Sequence, residues 1–256
     1  MAQYETVRRA GAGVGVEATQ IHAGLRAHMN KVYGLMGVAM FITGIVAYFV
    51  GTDLALAKAG QPTMIFSVGM LETMFTSPVR YVIMFAPLAV VFGFGAMINK
   101  MSLGTAQMVF WAFSALMGLS ISWIFAVYTG MSIAQIFFVT AIAFASLSIW
   151  GYTTKKDISG WGSFLIMGVV GLIVAMVVNI FLQSPAIMFA INAIGVLIFA
   201  GLTAYDTQNI KNTYLAHAHH GDNEWLGKSA IMGALSLYLN FLNMFMMLLS
   251  LFGNRE

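Results

Sequence analysis

Apolar residues run along this chain in blocks longer than a soluble core requires. Seven stretches, approximately 32–51, 81–98, 105–128, 132–150, 162–182, 186–205 and 230–252, are nearly free of charge. A helix needs about 20 mostly apolar residues to cross a bilayer, so each stretch predicts a spanning helix. The spacing of charges supports the division. No Lys, Arg, Asp or Glu lies between Lys100 and Lys155, or between Ile158 and Tyr205. Each gap has room for two spans and a tight turn, and Tyr128-Thr129-Gly130 and Gln183-Ser184-Pro185 supply the turn residues. The long connection 52–80 contains a short apolar run, Met64 to Leu71, broken by Glu72 and Pro78. It reads as an interfacial segment, with a re-entrant one as the alternative.

Polar positions inside the spans are few and ordered. In the seventh span Ser229, Gly233, Ser236, Asn240, Asn243, Met247 and Ser250 follow one another at steps of 4, 3, 4, 3, 4 and 3 residues. That spacing draws one stripe along one helix face. A continuous polar stripe should face protein or water rather than lipid, which suits a helix surrounded by the others. The sixth span offers a matching face in Asn192, Gly195, Leu202 and Asp206. Asp206 therefore sits near one end of the sixth span, on a helix antiparallel to that of Asn240 and about a turn or two from it in depth. Taken by position, Asp206 reads equally as a helix-end carboxylate among headgroups or as a functional group. The two asparagines read first as interhelical hydrogen-bonding groups, each bond contributing about 0.6–2 kcal/mol.

Small residues recur at helical spacing: Gly37, Gly44 and Gly51 in the first span, Ser114, Gly118 and Ser122 in the third, Ala141, Ala145 and Ser148 in the fourth, and Gly168, Gly171 and Ala175 in the fifth. They allow backbones to approach closely where apolar burial supplies little drive. A compact bundle explains them.

Composition narrows the class. Of the 256 residues 60% are hydrophobic and 8% charged, against about 25% charged in soluble domains. With 0 cysteines, disulfides, thiolate metal sites and cysteine nucleophiles are excluded. The net charge of +3 is small, and the basic residues flank apolar spans, so they point to topology and lipid contact rather than nucleic acid. Arg8, Arg9, Arg26, Lys31, Lys100, Lys155, Lys156, Lys211 and Lys228 fall on one side, and Lys58, Arg80 and Arg255 on the other. The positive-inside rule then places the amino terminus in the cytoplasm and the carboxyl terminus outside. The first 27 residues lack an apolar signal region. They are expected to form a flexible cytoplasmic tail, 1–27, ahead of a membrane domain, 28–253.

Catalytic constellations are missing. The seventh span has no lysine for a retinal Schiff base, and His22, His28, His217, His219 and His220 lie outside the spans. Ser120 and Ser122 thus have no histidine base at membrane depth. The expectation is a protein that is not an enzyme and has no cofactor.

Several segments carry a family resemblance: SALMGLSIS in the third span, WGYTTKKDISGWGSFLIMG across the fourth loop, VNIFLQS in the fifth span, GLTAYDTQNIK at Asp206, and SLYLNFLNMFMMLLSLFG at the end. Over residues 25–253 the chain resembles the Bax inhibitor-1-like family of transmembrane Bax-inhibitor-motif proteins, in particular its bacterial YccA-like branch. The resemblance implies an all-α integral membrane protein of seven transmembrane helices, six surrounding a central carboxyl-terminal helix, in the bacterial plasma (inner) membrane. It further implies a pH-sensitive calcium leak, in which two aspartates on the last two helices share a proton and control a pore. Asp206 matches the first aspartate, and Asn240 stands where the second is expected. Asp206, Asn240 and Asn243 are therefore the candidate gating, ion-facing or proton-sensing residues. Asp206 is also the candidate for a weak calcium site, with calcium as the permeant ion. An Asp–Asn pair lacks the like-charge repulsion of two carboxylates. The bacterial branch implies a second reading from a different class, a regulator that binds a membrane-bound AAA protease of the FtsH type.

Overall fold

The computed structural model describes residues 2–217 and 222–255, with side chains from residue 20 onward. The side chains of Arg8 and Arg9 and the whole of His219 and His220 lie outside the described residues. Eight α-helices follow in order: α1 (Ala2–Lys58), α2 (Val68–Phe75), α3 (Val79–Met97), α4 (Leu103–Ile121), α5 (Gly130–Thr153), α6 (Trp161–Leu182), α7 (Pro185–His217) and α8 (Asn223–Phe252). Short 3-10 turns extend α3 through Ile98–Lys100 and α4 through Ser122–Ala126.

All of these except α2 give a helix long and apolar enough to cross a membrane, 7 in total, in the order the charge gaps predict. Helices are the natural solution, because lipid offers no partner for an open backbone N–H or C=O. Leu25 is buried in the core. The packed body therefore begins on α1 ahead of residue 28.

The helix ends are fixed by local chemistry. Ser102, Thr129 and Asp222 cap α4, α5 and α8, each accepting a hydrogen bond from the backbone N–H three residues on. Gln183 ends α6 in the left-handed region at φ 47°. Asn179 Oδ1 accepts from the Ser184 N–H at 3.0 Å, and Pro185 opens α7, which completes the sharp reversal.

Helix α8 is the axis of the bundle. Of its apolar window 56% is buried, against 17% for α3 and for α6. It packs against α1, α4, α5 and α7, while α3 lies on α4 and α6 on α7. The six helices thus surround α8 in two ranks, four in direct contact and two backing them.

Small residues set the closest approaches. A Cβ on Gly118 would crowd the Thr43 backbone, one on Gly51 the Ser122 carbonyl and Phe125, and one on Gly151 the Ala204 backbone. These contacts bind α1 to α4 and α5 to α7. Gly37 and Gly44, on the same heptad as Gly51, instead face open space.

Tyr238 anchors α8 among the others. Its ring stands edge-on to Phe110 at 6.1 Å and Phe113 at 5.7 Å, and its hydroxyl lies 2.6 Å from Thr43 Oγ1. Thr43 directs its one hydroxyl proton to the carbonyls of Ser114 at 2.8 Å and Ala39 at 2.9 Å. Tyr238 is therefore the donor to Thr43.

Candidate functional site

Two helical stripes meet along α7 and α8, the most extensive helix pair in the fold. They run antiparallel in a fixed register. A Cβ on Gly233 would press on Ile210, and one on Gly195 on the sulfur of Met247. Between these contacts Asn240 Nδ2 donates to Asp206 Oδ2 at 2.7 Å. Further along, Asn192 Nδ2 donates to Ser250 Oγ at 2.8 Å. The polar and small positions legible as two separate stripes are thus the two halves of one seam.

Asp206 borders a cavity of about 180 Å³ that, among the described residues, is lined by these two helices: Asp206, Asn209, Ile210 and Thr213 from α7, and Ser229, Met232, Gly233 and Ser236 from α8. It opens toward the lysine-rich end of the bundle, where α7 and α8 are joined. There is room for several waters, and hydroxyls, an amide and one carboxylate line it. Beyond Asp206 the next positions on both helices, Leu202, Phe199, Met244 and Met247, are buried apolar groups. The vestibule therefore ends at the Asp206–Asn240 bond. Its single negative charge attracts cations. Among the described residues no three His, Cys, Asp or Glu side chains converge as metal ligands.

Asn243 does not join the pair. Its Nδ2 donates to the carbonyl of Leu239 on its own helix at 2.9 Å. The stripe places it one turn past Asn240, on the side away from the vestibule.

The neighbours of Asp206 bind α7 to other elements. Thr207 Oγ1 lies 3.0 Å from Ser148 Oγ on α5, and Ser148 is hydrogen-bonded in turn to the Tyr33 hydroxyl on α1. Gln208 accepts the Ile158 N–H at 2.9 Å and donates to the Lys156 carbonyl at 2.8 Å, which fastens the α5–α6 loop. Lys211 Nζ donates to the Tyr152 carbonyl at 2.8 Å, capping α5. These partners are spread over a wide range of the chain, and only the polar character of TQNIK marks them in the sequence.

At the opposite end Asp53 has a structural task that no periodicity marks. Its carboxylate accepts the backbone N–H groups of Met64, Ile65 and Phe66, each at 2.7 Å. This folds the α1–α2 connection over the end of α1, ahead of the short helix α2.

Comparison with known proteins shows the family. A family model described as "Inhibitor of apoptosis-promoting Bax1" matches residues 25–256. The chain is 44% identical over 237 residues to the inner membrane protein YbhL of Escherichia coli strain K12, covering 93% of this chain and 95% of that one. An uncharacterized protein of Caulobacter vibrioides is 45% identical over 237 residues, 92% of each chain. Protein RP147 of Rickettsia prowazekii, also uncharacterized, is 40% identical over 233 residues, 91% of this chain and 92% of its own.

Proposed function

The chain belongs to the Bax inhibitor-1-like family, and from that premise we propose that it is a pH-modulated, calcium-permeable leak protein. It is a multi-pass inner membrane protein, as its relative from Escherichia coli is named. The observation that carries the proposal is Asp206. It is a carboxylate at the floor of a polar vestibule, bonded at 2.7 Å to an amide of the central helix. An intramembrane carboxylate facing a water-accessible cavity is a functional group by default.

Calcium takes six to eight oxygen ligands. The vestibule offers the Asp206 carboxylate, the amide oxygen of Asn209 and the hydroxyls of Thr213, Ser229 and Ser236. Water would complete the shell. One carboxylate holds the ion weakly, which suits passage rather than storage. Separation of α7 from α8 at Met247 and Gly195 would open the way onward. Protonation of Asp206 would remove the one charge that draws calcium in, so acid would lower entry. The basic end is the cytoplasmic one under the positive-inside rule, which makes the vestibule the cytoplasmic mouth. Enzymatic chemistry has no part in this reading.

The test is calcium flux into dye-loaded liposomes holding the purified protein. Flux above that of empty liposomes, falling as pH drops and lost in Asp206→Ala, is the expected result. Flux equal to empty liposomes across acidic and neutral pH would refute the proposal.

A further inference from the structure

Helices α1 and α5 each pack against α8, yet between themselves they leave a cavity of about 490 Å³. That volume falls within the range of sites that hold one small molecule, about 300–1,000 Å³. We propose that this groove is a binding site for one anionic phospholipid of the leaflet at the lysine-rich end, with the phosphate at Arg26 and an acyl chain between α1 and α5.

The lining is graded as an amphiphile is. Arg26 and Asn30 on α1 and Tyr152 at the end of α5 form the mouth, and Met29, Ile149 and Phe144 form the apolar interior. The two helices run antiparallel, so Tyr152 and Arg26 share one end while Phe144 lies deeper. Phe144 is two helical turns below Tyr152, about 12 Å at 1.5 Å per residue. One leaflet of hydrocarbon is about 15 Å deep. The groove therefore traverses most of one leaflet and no more.

Charge selects the headgroup. Arg26 is exposed and makes no ion pair among the described residues. Lys211 does not line the cavity but lies beside its edge, with its Nζ 5.6 Å from the ring centroid of Tyr152. Among the described residues no Asp or Glu lines the cavity. Basic pockets between spanning helices are established binding sites for anionic headgroups. The wall is also preformed. Tyr33 and Ser148, which face the groove, are hydrogen-bonded to each other, and Ser148 to Thr207. Little ordering is then required when a lipid enters.

Native mass spectrometry of the full chain, released from detergent with equimolar phosphatidylglycerol and phosphatidylcholine, tests the proposal. The expected spectrum shows one phosphatidylglycerol retained in preference. Arg26→Gln should reduce that preference about fivefold, the loss of one surface cation, while Lys155→Gln on the same face leaves it unchanged. Ala145→Trp, which fills the groove, should abolish retention of both lipids. Glycerol phosphate, which has no acyl chain, should fail to displace the bound lipid. Any of four results would overturn the proposal: an intact preference in Arg26→Gln, an equal loss in Lys155→Gln, retention by Ala145→Trp, or displacement by glycerol phosphate.

Discussion

Asn240 Nδ2 and Asp206 Oδ2 meet at 2.7 Å across the seam between α8 and α7, and this bond is the only charge-bearing contact between the two stripes. An amide in that place donates to the carboxylate. A second acid could not do so unless it carried a proton.

Asn240→Asp should therefore create a pair that shares one proton, because two like charges at this distance do not both ionise cheaply. Calcium flux measured against pH should become steeper than in the parent protein. An identical profile would show that the bond has no part in gating.

The same bond predicts an ordering of stabilities. Asp206→Leu strands the buried amide of Asn240 without an acceptor, at about 1–3 kcal/mol. Asp206→Asn keeps an acceptor oxygen and should lose less. Thermal unfolding in detergent should rank the parent above Asp206→Asn and both above Asp206→Leu. Equal melting points for the two variants would contradict the assignment of Asp206 as the acceptor for Asn240.

Two glycine substitutions separate packing from mere helix composition. Gly151→Ala places a methyl group against the Ala204 backbone and should destabilise by about 1–3 kcal/mol through overpacking. Gly37→Ala meets nothing and should be neutral or slightly stabilising, since alanine favours helix. Melting points for the pair, taken side by side, decide the matter, and a neutral Gly151→Ala would break the close approach described for α5 and α7.

The α5–α6 loop gives a pH-dependent prediction outside the membrane. Hydrogen bonds from the backbone N–H and the hydroxyl of Ser159 hold the Asp157 carboxyl below its ordinary value of 3.8. A depressed carboxylate contributes stability above its unfolded pKa, and the contribution is lost as pH falls through the folded value. The difference in melting temperature between the parent and Asp157→Ala should be constant from neutral pH down to about pH 5 and should shrink progressively as pH falls through 3.8 and below. A difference already gone at pH 5 would rule out the ionised Asp157 as its source.

Much of this arrangement was legible from periodicity. The stripes through Asn192 and Asp206 and through Asn240 and Ser250 identify the faces that pair, because a polar group in a spanning helix has few other places to go. Periodicity places Asn243 on the same stripe as Asn240 but does not reveal its partner, and the partner is a carbonyl of its own helix. The equal spacing of Gly37, Gly44 and Gly51 does not tell which of them meets a neighbour, and it is Gly51 that the 3-10 turn of Ser122–Ala126 reaches. The task of Asp53 had no signal to follow, and that of Gln208 only the polarity of its segment. Their partners are backbone groups, which every residue possesses and which leave no trace in residue identity.

The bonds of Thr207, Gln208 and Lys211 carry a mechanical consequence. They extend from α7 to α5 and to the loop after it, while Asp206 turns the other way toward α8. Swinging α7 about its axis would release all of them together. That helix is thus a post braced on α5, and α8, pinned in its turn through Tyr238, holds Asn240 against Asp206 from the other side.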